Sequence, residues 1–236
     1  MGAMALDRKV QRSGEILQLL ASRTDPKAVE GMRRFGIIAK KAYGGWPTPV
    51  LKRLARQIGR NHRLAQELWD AEILEARALA TLIEEPDKVS DQQMERWAGD
   101  FHNWAVCDGA CINLFRYTKF AYGKCREWSS RPEEFVKRAA FALMAGLAVA
   151  DKRAQDRAFL GFLPLIKRAA SDERNYVKKA VNWALRQIGK RNLQLNRAAI
   201  RMASEIRKIG SPAARWIAAD ALRELRSAAV QRRLLR

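Results

Sequence analysis

"FVKRAAFAL" at residues 135–143 and "YVKKAVNWA" at residues 176–184 stand 41 positions apart. Each opens with an aromatic residue, then Val, Lys, a second basic residue and Ala. A shorter echo pairs "ALRQI" (184–188) with "ALREL" (221–225) at an offset of 37. Sequences that return to themselves at about 40 residues describe stacked supersecondary units, each burying its apolar face against the next.

The units are helical. No stretch sustains period-two alternation, whereas helical spacing recurs between clear punctuation signals. "TPVLKRLARQIG" reads as a helix capped by Thr48, with Pro49 at its first position and a stop at Gly59. "SDQQ" has the form of a capping box, Ser90 with Gln93 three residues on. A third helix is read from Ser171 to Gly189 and a fourth from Ser211-Pro212. About a dozen helices of ~10–14 residues are expected. Helix pairs repeating at this period predict an all-α fold, a HEAT-like repeat solenoid of antiparallel helix pairs in one domain over residues 1–236. The Lys and Arg of "VKRA" and "VKKA" then recur on equivalent faces and make a concave basic trough.

Charge agrees with that expectation. The chain of 236 residues is 48% hydrophobic and 30% charged, so a packed core is expected and disorder is not. Its formal net charge is +20. Residues 1–100 hold 17 Lys/Arg and 14 Asp/Glu; residues 101–236 hold 28 and 11. So one-sided an excess points to a polyanionic partner, with nucleic acid ahead of an anionic membrane surface. The longest apolar run, "AAFALMAGLAVA", has 12 residues, short of the ~20 that cross a bilayer. "MGAMALDRKV" lacks the long apolar segment of a signal peptide, and Leu6 stands where a myristoylation signal takes Ser or Thr.

Three cysteines at these spacings make no zinc site, and reduced intracellular thiols are expected. His62 and His102 are isolated. Glu84-Glu85 and Glu133-Glu134 read as solvated helix ends. Trp46, Trp69, Trp97, Trp128 and Trp216 read as packing residues.

One acid stands out. In "NWAVCDGAC" (103–111), Asp108 follows Trp104 by four residues inside a small, apolar segment. On a helix the two share a face and can address one site.

The order "WAVCD", "VKRAA", "VKKAVNWALR" in a basic helical chain resembles the AlkD-like DNA alkylation repair enzymes, bacterial HEAT-like-repeat DNA glycosylases. The resemblance runs from "GMRRFGI" (31–37), through "LWDAEILEARALATLI" (68–83), to "ADALREL" (219–225). It implies a monofunctional glycosylase that hydrolyses the N-glycosidic bond of cationic N3- or N7-alkylated purines in duplex DNA. Its catalytic residues would be Asp108, Trp104 and Trp183, the last a second aromatic wall. Arg138 and Arg186 would contact the DNA backbone, with Lys137, Lys178 and Lys179 beside them and Phe35 near the lesion. The family pattern W-D-x-x-D has an acid directly after the tryptophan, where this chain has Ala105. No metal or cofactor is expected. The expected partner is double-stranded DNA carrying alkylated bases, bound by a monomer in the cytoplasm at the nucleoid. The alternative is a non-catalytic HEAT-like scaffold that grips damaged or branched DNA; an adaptor for an acidic protein is a weaker third.

The chemistry suits those residues. An alkylpurine cation leaves as a neutral base, while the sugar becomes oxocarbenium-like. A carboxylate near the anomeric carbon stabilises that charge and positions water. Indole faces add ~0.5–2 kcal/mol each through cation–π attraction. No lysine is arranged beside an acid as a Schiff-base nucleophile, so lyase chemistry is not expected.

Overall fold

A computed structural model describes residues 12–235. The readings made on residues 1–10 lie outside the described residues. Contacts divide the chain into two compact units, Met1–Thr118 and Lys119–Arg236. Regular structure among the described residues is helical, apart from isolated β-bridges at Thr24–Gly44 and Lys41–Ile73.

The first unit contains α1 (Ser13–Ala21), α2 (Pro26–Arg34), α3 (Thr48–Ile58), α4 (His62–Asp70), α5 (Leu74–Ile83), α6 (Asp91–Gly99) and α7 (Trp104–Asn113). Its centre is α5, which packs on α3, α4 and α7 and buries Ala76, Leu79, Ala80 and Ile83. Trp69 and Trp97 are fully buried and stack face to face with centroids 3.9 Å apart. The Trp69 indole N–H donates to Asp100 at 2.7 Å, so its polar edge is satisfied as well.

Glu84 corrects the sequence reading. It is a fully buried carboxylate rather than a solvated helix end. Gln93 Nε2 donates to it at 2.8 Å, the Glu85 backbone N–H at 2.7 Å, and His62 Nδ1 lies 2.7 Å away. Burying a carboxylate demands such partners, and α4 and α6 deliver them from both sides. His62 is therefore no isolated residue. The capping box is half realised for the same reason: Ser90 Oγ accepts from the Gln93 N–H at 3.1 Å, but the Gln93 side chain turns to Glu84.

The second unit contains α8 (Ala121–Trp128), α9 (Glu134–Ala150), α10 (Asp156–Leu160), α11 (Leu163–Ala169), α12 (Asn175–Gly189), α13 (Leu193–Arg207), α14 (Pro212–Leu225) and α15 (Ala228–Leu234). Helices α8 and α9, α11 and α12, and α13 and α14 pack as consecutive pairs. The second members then stack, α9 on α12 and α12 on α14. The 12-residue apolar run lies within α9, which buries Ala139 through Ala148. Its small side chains admit α12 closely. Among the described residues, no helix is long and apolar enough to cross a membrane.

The two quoted repeats sit at the starts of α9 and α12. Their neighbours are spaced by 38 residues: the Arg138 guanidinium donates to the Tyr176 carbonyl, Asn182 to Asp220, and Arg186 to Glu224. The spatial period thus falls between the sequence offsets of 37 and 41.

Two helix boundaries differ from expectation. Helix α3 includes Thr48, with Pro47 at the cap, although Gly59 ends it in the left-handed region at φ +79°. Helix α12 starts at Asn175 rather than Ser171. The Asp172 carboxylate accepts from the Arg174 backbone and guanidinium and from Lys137, which holds residues 172–174 outside the helix. Ser211 caps α14 as expected, accepting from the Ala214 N–H at 3.1 Å.

Candidate functional site

Helix α7 has two unlike faces. Val106, Cys107, Ala110 and Cys111 are buried, while Trp104, Ala105, Asp108, Gly109 and Ile112 are half-buried. Trp104 and Asp108 therefore share the open face, as their spacing predicts. Ala105 and Gly109 flank Asp108 on that face and are the smallest side chains it could have. A Cβ on Gly109 would meet nothing nearer than the Asn113 amide, 3.9 Å away.

The start of α7 is tied to a distant segment. Asn103 is fully buried and caps the helix, accepting from the Ala105 and Val106 N–H groups at 3.0 and 3.1 Å. Its amide also donates to the Ile38 carbonyl at 3.1 Å. One residue on, the Trp104 indole N–H donates to the Phe35 carbonyl at 2.9 Å. Gly36, at φ +76°, turns the chain between these two acceptors. Phe35 and Ile38 are left 77% and 66% exposed, with Arg33 and Arg34 exposed just before them. Phe35 is thus placed beside Trp104.

The second unit holds the remaining expected residues. Lys137 Nζ pairs with Asp172 at 3.0 Å. Arg138 is buried and donates to the Tyr176 carbonyl at 2.7 Å. Lys178 Nζ sits 5.5 Å from the centroid of the Trp216 ring. Arg186 pairs with Glu224 at 2.6 Å and lies 3.4 Å from Asp220. Trp183 is half-buried on α12 and Lys179 is exposed.

Electrostatics follow from these pairs. Hydrogen bonds from Arg174 hold the Asp172 carboxyl at about 2; burial opposes this and Lys137 reinforces it. Burial pushes the Glu224 carboxyl up, but the Lys190 hydrogen bond and the charges of Arg186 and Lys190 outweigh it and hold the group below its ordinary value. Burial raises the Cys125 thiol, and all three cysteines are buried. Among the described residues, no group of three or more His, Cys, Asp or Glu side chains could hold a metal ion.

Sequence reasoning missed Asn103, although it opens the quoted stretch; an Asn directly before a helix is a readable cap signal. It also missed Asp172, Asp220 and Glu224, whose partners lie 34 to 38 residues away. Trp216 was read as packing, yet it is 41% exposed.

Residues 16–225 match a family model described as DNA alkylation repair enzyme. The chain belongs to the DNA alkylation repair enzyme family. Among solved structures it is similar to one described as "A new family of proteins related to the HEAT-like repeat DNA glycosylases with affinity for branched DNA structures". The two share 19% identity over 83% of each chain, with a TM-score of 0.73. At that identity the likeness is one of fold, and the fold of this family member is the expected HEAT-like repeat. A designed armadillo repeat protein in complex with the peptide (KR)4 is 13% identical over 79% of this chain and 89% of that one. Its TM-score of 0.36 is too low to bear on the fold. No curated protein matches the chain.

Proposed function

We propose that the protein is a monofunctional DNA glycosylase that releases N3- and N7-alkylated purines from duplex DNA. The observation that carries this reading is the open face of α7. It presents an indole and a carboxylate one turn apart on one helix face. In this reading Asp108 faces the sugar as it becomes cationic and orients the attacking water. Trp104 attracts the cationic lesion through its ring face, and the Phe35 carbonyl holds that ring in place. Phe35 packs on the DNA beside the lesion. Trp183, on the second unit, supplies an aromatic surface of its own to the DNA.

The second unit supplies most of the phosphate attraction. Residues 119–236 carry 27 Lys/Arg and 10 Asp/Glu, a net of +17. Lys179 is free to reach a phosphate directly. Lys137, Lys178 and Arg186 exchange an internal partner for a phosphate, and Arg138 orients the start of α12 from within.

A second reading, a non-catalytic DNA scaffold, is favoured by Ala105, where the family pattern has an acid. The relative with affinity for branched DNA structures gives that reading a precedent of fold. One experiment separates the two: release of N7-methylguanine and N3-methyladenine from methylated duplex DNA by the parent and by Asp108→Asn. Release by the parent alone, with equal DNA binding by both, supports the glycosylase. Binding without release by the parent leaves the scaffold.

A further inference from the structure

We infer that Trp216 is a stacking site for an unpaired DNA base, with Lys178 beside it as a contact for the adjoining phosphate. The inference rests on the DNA-binding part of the proposed function and is independent of catalysis. Among the tryptophans, Trp69, Trp97 and Trp128 are fully buried, Trp46 nearly so, and Trp104 and Trp183 half-buried. Trp216 alone is exposed. Helix α14 does not need it there. The core face is made by Ala213, Ala214, Ile217 and Ala218, and the first turn is already secured by Pro212 and the Ser211 cap.

The surroundings select the ligand. Lys178 Nζ lies 5.5 Å from the ring centroid, and Lys179 and Arg215 are exposed nearby in sequence on α12 and α14. Two acids that bond to α14 or lie on it are already engaged. Glu173 accepts from the Ala213 N–H at 3.0 Å, and Asp220 accepts from Asn182 at 2.7 Å and from Arg223. An exposed indole with a lysine at its ring, in a unit of net charge +17, matches a polyanion that carries flat aromatic groups. Within the interior of a duplex both faces of every base are covered by its neighbours. A surface indole finds an uncovered base face only at a duplex end, a branch point or a single-stranded tail, and of these only an unpaired base can swing out to meet it. The ligand class is therefore an unpaired nucleotide continuous with a duplex. Stacking is tolerant of base identity, so no sequence preference is expected.

The test compares the affinity of the full chain for a blunt duplex and for the same duplex with a single-stranded thymidine tail, using fluorescence anisotropy at fixed salt. The parent is expected to prefer the tailed DNA. Trp216→Ala is expected to weaken tailed-DNA binding about tenfold, to change blunt-duplex binding less than twofold, and so to erase the preference. Trp216→Phe is expected to retain most of it, and the thermal midpoints of both variants show that they fold. A parent without a tail preference overturns the inference. So does a Trp216→Ala variant that keeps the preference, or one that weakens both DNAs equally. Asp108→Asn is expected to keep the preference while losing base release. A parent that releases no base but shows a Trp216-dependent preference would end the glycosylase reading and leave this one standing.

Discussion

The indole N–H of Trp104 donates to the backbone carbonyl of Phe35 at 2.9 Å, across 69 residues of sequence. This bond fixes the ring's orientation on the open face of α7 and keeps Phe35 beside it. Trp104→Phe retains an aromatic face but has no N–H to donate. It is expected to reduce base release from methylated duplex about five- to tenfold, the cost of one hydrogen bond of ~1 kcal/mol together with looser positioning. Stability should change by less than ~1.5 kcal/mol in urea unfolding. Unchanged single-turnover release would remove Trp104 from the site.

Asn103 does two jobs with one buried side chain. Its carbonyl caps α7 and its amide reaches the Ile38 carbonyl. Asn103→Ala is expected to destabilise the protein by about 1–2 kcal/mol, chiefly through the lost cap, with a smaller part from the lost bond to the part-buried Ile38 carbonyl. Asn103→Asp keeps the cap and loses the donor, so its urea midpoint should fall between the two.

Acid should loosen the second unit through Asp172. The folded carboxyl titrates at about 2, below its ordinary value of 3.8. A depressed folded value means that ionised Asp172 stabilises the fold above pH ~4, and that this contribution is lost as pH falls from about 4 to about 2. Asp172→Asn should cost about 1–2 kcal/mol at pH 7 and well under ~1 kcal/mol at pH 2, narrowing the pH dependence of the unfolding midpoint over that window.

Gly189 is the last residue of α12 and is not there for a left-handed turn. A Cβ at this position would lie 2.7 Å from Leu225 Cδ2 and 2.8 Å from Ala199 Cβ. Gly189→Ala is expected to destabilise by about 1–3 kcal/mol through overpacking between α13 and α14, despite the higher helix propensity of Ala. Thermal melts would show a lowered midpoint, whereas a rise would mean that the contact relaxes freely.

Lys179 and Arg186 should separate by salt. Lys179 is exposed, while Arg186 is committed to Glu224. Lys179→Ala is expected to reduce the slope of log K against log salt by about 1 with no loss of stability. Arg186→Ala should lower stability as well, because it leaves Glu224 with one partner fewer. Titration of duplex DNA at several salt concentrations checks the first, and urea unfolding the second.

The repeat of "VKRA" and "VKKA" and the caps at Ser90 and Ser211 were enough to determine an all-helical repeat with its basic excess in the C-terminal half. These are local signals: helical period, capping hydrogen bonds and side-chain charge depend on residues a few positions apart. The shared face of Trp104 and Asp108 was legible for the same reason, since i and i+4 on a helix are neighbours whatever the fold around them. Only tertiary structure decided which charges are spoken for. Glu84, read as solvated, is buried under donors from α4 and α6. Arg138 and Arg186 carry partners from the next helix of the stack, Lys137 one from the segment before it, and Trp216, read as packing, faces out. Each of these depends on what packs some 9 to 38 residues away. Burial and pairing are properties of that packing, and no local pattern encodes them.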